Sequence, residues 1–188
     1  MKYLSSSNST TAHSFAILNS LFGMLNCSLA RYLSYARPKV RRRYVLVDAV
    51  TRRLSREHDS FAAQIAQLID TRRGIVRSCV FPMKFTHYND LALEYLAPRL
   101  LEQQHLLIRS AEECASELSH DPEAQELVNL LLSSLRQYAA LLLELLTQHG
   151  LVATHSEKDR SKSIEYIDVS PTSANRLRHH GMEPQSAA

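Results

Sequence analysis

Apolar residues recur along this chain at intervals of three and four, and the stretches that carry the pattern read as amphipathic helices. The first runs from about Ala12 to Ala36, with Leu18, Leu21, Leu25, Ser28/Leu29, Tyr32 and Tyr35/Ala36 on one stripe, and Pro38 stops it. The second spans about Arg42 to Arg72. Its stripe is Val47, Val50, Leu54, His58, Phe61, Ile65 and Leu68, with Gly74 just past its end. The third lies between about Asn89 and Leu118, on Leu96, Leu100, Gln103, Leu107, Ala111, Cys114 and Leu118, and Pro98 either kinks it or begins its main part. The fourth opens on Asp121-Pro122-Glu123, an N-cap followed by proline at the first helical position. It continues through Leu127, Leu131, Ser134, Tyr138, Leu141 and Leu145 to Gly150.

The connections predict how these helices are arranged. Those after the first and third helices are short, so each pair should pack antiparallel. Between the second and third helices lies the segment 73–88, which can span about 53 Å when extended. A helix of about 30 residues is about 45 Å long, so this connection can travel the whole length of a bundle. The expected fold is all-α: two antiparallel helix pairs joined by one long crossover. Outside the bundle (12–149), residues 1–11 are rich in Ser and Thr, and residues 150–188 mix Ser, Pro, His and charge without a period. Both ends are expected to be disordered tails.

Composition adds little to this picture. The chain has 188 residues, one domain's worth, and only 4 glycines, which suits helices. The net charge of +3 is too small to imply nucleic acid or acidic lipid by itself. The cysteines, Cys27, Cys79 and Cys114, are odd in number and lack CxxC spacing, so they read as reduced thiols. The apolar stretch from Phe15 to Ala30 is interrupted by Asn19, Ser20, Asn26 and Ser28, unlike a secretory core, and the residue before Cys27 is Asn26 rather than a small lipobox residue. No uninterrupted apolar run approaches the ~18 residues of a membrane span. The expectation is a cytoplasmic protein without a membrane segment.

Several residues resemble a known family. Leu18-Asn19, Leu21 or Phe22, Ala30 and Tyr32 are similar to the first-helix pattern of bacterioferritin- and rubrerythrin-like proteins, and REHDSFAAQIAQLIDTRRG (56–74) is similar to their second helix. The resemblance covers about 14–147 and implies a ferritin-like four-helix bundle. It also implies a di-iron site with a Glu from each of two helices and Glu-x-x-His from each of the other two. Those ligands are missing. Leu25 and neutral Asn26 stand where the first Glu belongs, Ser55 stands three residues before His58, the third helix offers Glu102 or the stripe residue Gln103, and the fourth has Leu135 and Tyr138. A hard di-metal centre needs several carboxylates to balance its charge. Two Glu-x-x-His copies do occur, Glu102…His105 and Glu117…His120, but both lie on the third helix, about 22 Å apart along its axis. They cannot share metals separated by ~3.5–4 Å.

The remaining candidates are read as structural. His58, Gln103, Ser134 and Tyr138 fall on apolar stripes and are expected to form a hydrogen-bonded polar layer that fixes helix register, with a remnant pocket for one metal ion or a small ligand as the alternative. Arg37, Lys39, Arg41, Arg42 and Arg43, with Arg52, Arg53 and Arg56, lack aromatic interleaving and a helix-turn-helix, so they read as a solvated turn and helix face. No G-x-S-x-G, P-loop or glycine-rich cradle is present. In the crossover, Phe81, Met83, Phe85 and Tyr88 are expected to cover an apolar groove, with a homodimer or protein partner as the alternative. The expected function is a non-catalytic ferritin-like protein without a cofactor, acting through binding or structure. Two alternatives stay open. One is a metal-binding protein or oxidoreductase with a mononuclear iron, manganese or zinc site around His58, with Glu102 and His105. The other is a nucleic-acid binder using 37–56.

Overall fold

The computed structural model describes residues 5–152, and every regular element among them is helical. The helices are α1 (Ser5–Asn26), α2 (Leu29–Ala36), α3 (Val45–Thr71), α4 (Leu93–Glu117) and α5 (Pro122–Gln148), with short 3-10 turns at Arg42–Tyr44 and Met83–Tyr88. Pro98 sits inside α4, which begins upstream of it at Leu93, where the Leu93 N–H donates to the Lys39 carbonyl at 3.0 Å. Asp121 caps α5 as its sequence suggests, accepting from the Ala124 N–H at 3.3 Å.

The first expected helix is two helices. Cys27 and Ser28 interrupt it, and Ser28 has extended backbone at φ −72° and ψ 155°. The break is satisfied on both sides. Ser28 Oγ accepts from the Arg31 N–H at 3.4 Å and caps α2, while Arg31 Nη1 donates to the Asn26 carbonyl at the end of α1 at 2.6 Å. Arg31 is also ion-paired with Asp59 on α3.

The expected tail boundaries shift as well. Residues 5–11, read as unstructured, are the opening turns of α1. Extending a helix that is already packed costs little per residue compared with nucleating one. At the other end, Leu151 and Val152 pack on the core, and the rest of the expected C-terminal tail lies outside the described residues.

Contacts between helices follow a consistent order. Along α3 and α5, Arg72 meets Asp121, Glu57 meets Ser134, and Tyr44 meets His149, so these helices run in opposite directions. Along α1/α2 and α4, Ser14 meets His120 and Lys39 meets Leu93, again in opposite directions. Phe15 lies by Gly74 and Ser28 by His58, so α1 and α3 are antiparallel too. Arg72 grips Asp121 through two nitrogens at 2.6 and 3.0 Å and reaches Glu123 at 2.6 Å, joining the end of α3 to the start of α5. That pairing raises the Arg72 pKa and lowers that of Asp121.

The crossover runs beside α1 and then α2. It leaves α3 through Gly74, where an added Cβ would lie 2.8 Å from Ile69 and 2.9 Å from the Phe15 ring, too close for any side chain. Asn19 then takes both sides of its backbone, donating to the Ile75 carbonyl at 3.1 Å and accepting from the Arg77 N–H at 2.7 Å. Further on, Phe81 packs against Tyr32 and Tyr35, and buried Phe85 packs against Tyr32. Phe85 and, in part, Phe81 and Tyr88 do cover the bundle, whereas Met83 stays 79 % exposed.

Between these contacts the chain is cross-linked. Cys27 and Cys79 form a disulfide across a sequence separation of 52, with Cα atoms 6.5 Å apart. This overturns the reading of three reduced thiols, which spacing alone could not exclude, because the bridge depends on where the crossover passes α1. Such bridges persist in oxidising compartments, so the cysteine argument for a cytoplasmic location falls. Among the described helices α5 is long and apolar enough to cross a membrane, although Asn, Ser and Gln interrupt its apolar runs. Its Val128, Leu131, Leu135, Leu142 and Leu146 are buried in the bundle core.

Closing a loop of this length should stabilise the fold by about 4 kcal/mol on chain entropy. Reduction, or Cys79→Ser, is therefore expected to lower the urea unfolding free energy by about 2–4 kcal/mol. An unchanged urea midpoint would count against the bridge.

Candidate functional site

The core consists of two apolar clusters. One gathers Leu18, Leu21, Leu25, Ile65, Ile69, Leu118 and Leu131, and the other gathers Leu29, Leu33, Leu54, Leu96, Leu100, Leu142 and Leu146. Between them in chain order, on α3, lies His58, with no solvent exposure. Its Nδ1 is 2.8 Å from Ser28 Oγ. Gln104 of α4, 1 % exposed, stands by the same ring, but neither His58 Nε2 nor Gln104 Oε1 closes an aligned hydrogen bond. Ser55, one turn before His58, is buried beside this layer.

Membership of the expected layer therefore changes. His58 is inside, as its stripe predicts. Its hydroxyl partner is Ser28, which becomes available only because the first helix breaks there. The amide on α4 is Gln104 rather than Gln103, since the buried stripe runs Leu100, Gln104, Leu107, Ala111 and Ala115. Gln103 is half-buried. Ser134 is half-buried and bonds to Glu57 at 3.0 Å, away from His58, and Tyr138 is buried in the second cluster. Of the alternative metal ligands, Glu102 and His105 are exposed on α4 while His58 is enclosed, so the three are not brought together. Among the described residues, no three of His, Cys, Asp and Glu gather into a group that could hold a metal ion.

His58 has a lowered pKa of about 4. Burial is the largest cause, the Gln104 amide opposes it, and the positive charge of Arg31 adds to it. The ring is thus neutral at pH 7. Cys114, half-buried, has its thiol pushed up to about 11 by burial and by Glu117 and Glu113, which leaves it unreactive at neutral pH.

The basic residues are where the sequence places them, on the surface. Arg37, Lys39, Arg41, Arg42 and Arg43 are all exposed. Arg41 lies 3.0 Å from Glu94, a buried carboxylate, and Arg43 covers the Tyr44 ring at 4.6 Å. Arg37 ends α2 in the left-handed conformation at φ 48°. Two of the five thus serve local structure through their side chains.

Beside the His58 layer is a cavity of about 350 Å³. Ser28 and Gln104 contribute to its lining, with Leu29, Leu107, Phe85 and the Cys27–Cys79 bridge. Neither the cavity nor its amide was legible from periodicity, because the crossover forms one of its sides. The chain matches no protein-family model, and neither the curated proteins nor the solved structures contain a match to it.

The His58 pKa sets a pH dependence. Unfolded His58 takes up a proton near pH 6.5, whereas the folded residue resists until about pH 4. Between those values the unfolded state binds more protons, so stability falls as the pH is lowered, by about 1.4 kcal/mol per pH unit for one site. Urea unfolding of wild type and His58→Gln from pH 7 to 4 should show this one-proton slope in the wild type only. Parallel curves would contradict a neutral buried imidazole.

Proposed function

We propose that this chain is a ferritin-like four-helix bundle that acts through binding rather than through di-iron chemistry, with α1 and α2 together forming its first helix. The antiparallel contacts within and between the helix pairs, and the crossover running beside the first column, support this arrangement. The observation that carries the functional reading is the composition of the interior around His58. The groups that meet the ring, Ser28 and Gln104, are both buried, Ser55 one turn away is buried too, and none is a carboxylate. A pair of divalent ions requires anionic oxygens to offset the cost of burying their charge. Neutral amide and hydroxyl groups do not provide that.

A mononuclear site would need acidic or imidazole groups beside His58. Its hydrogen-bonding neighbour is Ser28, and Glu102 and His105 are exposed on α4. His58 is therefore assigned to structure, as the centre of a polar layer that sets helix register.

Metal analysis and thermal unfolding test this reading. Purified protein should carry substoichiometric iron and lack ferroxidase activity, and iron, manganese or zinc should leave its melting temperature unchanged. About two irons per chain, or a metal-dependent stabilisation that His58→Gln removes, would overturn it. On the structural side, His58→Leu should cost about 1–3 kcal/mol by leaving Ser28 and Gln104 without the ring. His58→Gln should cost less.

A further inference from the structure

The charges of this chain are unevenly placed. Residues 31–56 hold nine basic side chains against one acid, Asp48, whereas residues 57–152 hold seven against thirteen. The modest net charge of +3 therefore conceals a strongly basic region. The field of an exposed charge fades over about 10 Å at 0.1 M salt, and α3, with 27 residues, is about 40 Å long. Glu113, Glu117, Glu123 and Glu126 stand around the turn between α4 and α5, at the far end of α3, where Arg72 meets Asp121. They are too distant to neutralise the end at which α3 begins.

The fold gathers the basic charge on one face. Val45, Ala49, Arg52, Arg53 and Arg56 stand on the side of α3 opposite buried Val47, Leu54 and His58, and all five are exposed. Arg42 and Arg43 precede them in the 3-10 turn. Arg52 is paired with Asp48, and Arg43 covers Tyr44. Among the described residues, Arg42, Arg53 and Arg56 have neither a carboxylate nor a ring as partner. Their charge is open to an external anion.

Apolar side chains share this face. Val45 is 54 % exposed and Leu46 is 64 % exposed, directly after the arginines of the turn. Nucleic-acid phosphates would engage the guanidiniums but leave both of these side chains in water. Tyr44, the ring beside them in sequence, is buried and cannot stack on a base. The interface of an anionic bilayer accommodates both kinds of group. Aliphatic side chains enter the boundary between headgroups and acyl chains, while guanidiniums stay among the lipid phosphates on their apolar stems.

We propose that this face docks the protein peripherally on an anionic membrane surface, with Val45 and Leu46 inserted and Arg42, Arg53 and Arg56 against the headgroup phosphates. The face lies on the outside of the bundle, so its role goes beyond the reading of the interior given above and is independent of it.

Vesicle flotation with the full-length oxidised chain tests this. Vesicles of equal phosphatidylglycerol and phosphatidylcholine should bind it at least about a hundredfold more tightly than phosphatidylcholine alone. Raising NaCl from about 0.1 M to about 0.5 M should weaken that binding about tenfold. Arg42→Gln with Arg53→Gln should weaken it about 25-fold, at about fivefold per charge. Arg77→Gln with Arg109→Gln removes the same charge from exposed positions elsewhere and should change it by less than about threefold. Leu46→Ser, which leaves the charge unaltered, should weaken it about fivefold. The proposal is overturned if the anionic vesicles leave the protein unbound, if both lipids bind it alike, if the two double variants lose equally, or if Leu46→Ser binds as wild type does. It is also overturned if a DNA duplex binds more tightly per phosphate than the anionic vesicles and Leu46→Ser keeps that affinity, which would make the face a nucleic-acid site.

Discussion

An imidazole enclosed among leucines must keep its proton count low and find polar company, and His58 imposes that constraint on two other helices. Ser28 provides the hydroxyl, and it does so from a turn where helical geometry is given up. The break leaves backbone groups without helical partners, and the same Ser28 oxygen takes one of them while Arg31 takes another. Gln104 brings an amide from α4. Ser28 serves the ring and the helix break with one oxygen, so the layer and the interruption of the first helix form one feature.

The same constraint accounts for the shape of the core. Large apolar side chains cluster on either side of the layer, and Ile108 packs against both clusters. Polar groups at one level fix the register of the helices that meet there, because sliding a helix by one turn would leave a buried donor or acceptor alone. Apolar contacts are less selective, since one leucine substitutes for another with modest loss. Most of the driving force for folding lies in the two apolar clusters.

The crossover is held by means other than secondary structure. A connection of this length has its own backbone donors and acceptors to satisfy, and Asn19 satisfies two of them from α1. Gly74 permits the close departure from α3, Phe85 anchors the far end in the second cluster, and the Cys27–Cys79 bridge pins the middle. The bridge attaches beside the helix break, so the segment that borders the cavity is fastened next to the layer that sets the register. At the opposite end, Arg72, Asp121 and Glu123 tie α3 to α5.

The sequence by itself determined the helices, their approximate limits and most of their inward faces, because those depend on local period, caps and proline. Asp121-Pro122 marked the start of α5, and the stripe from Val47 to Leu68 marked the buried face of α3. His58 was legible as a buried ring. Tertiary structure decided the rest. Whether Gln103 or Gln104 faces inward is a matter of helix phase, set by the packing of α4 against its neighbours. The pairing of His58 with Ser28 needed a break that a continuous apolar period conceals. Cys27 and Cys79 pair only because a segment without period happens to pass the end of α1. The cavity exists where that segment and the helices fail to fill the space between them. Each of these depends on contacts between residues distant in sequence, and a pattern of local intervals contains no record of them.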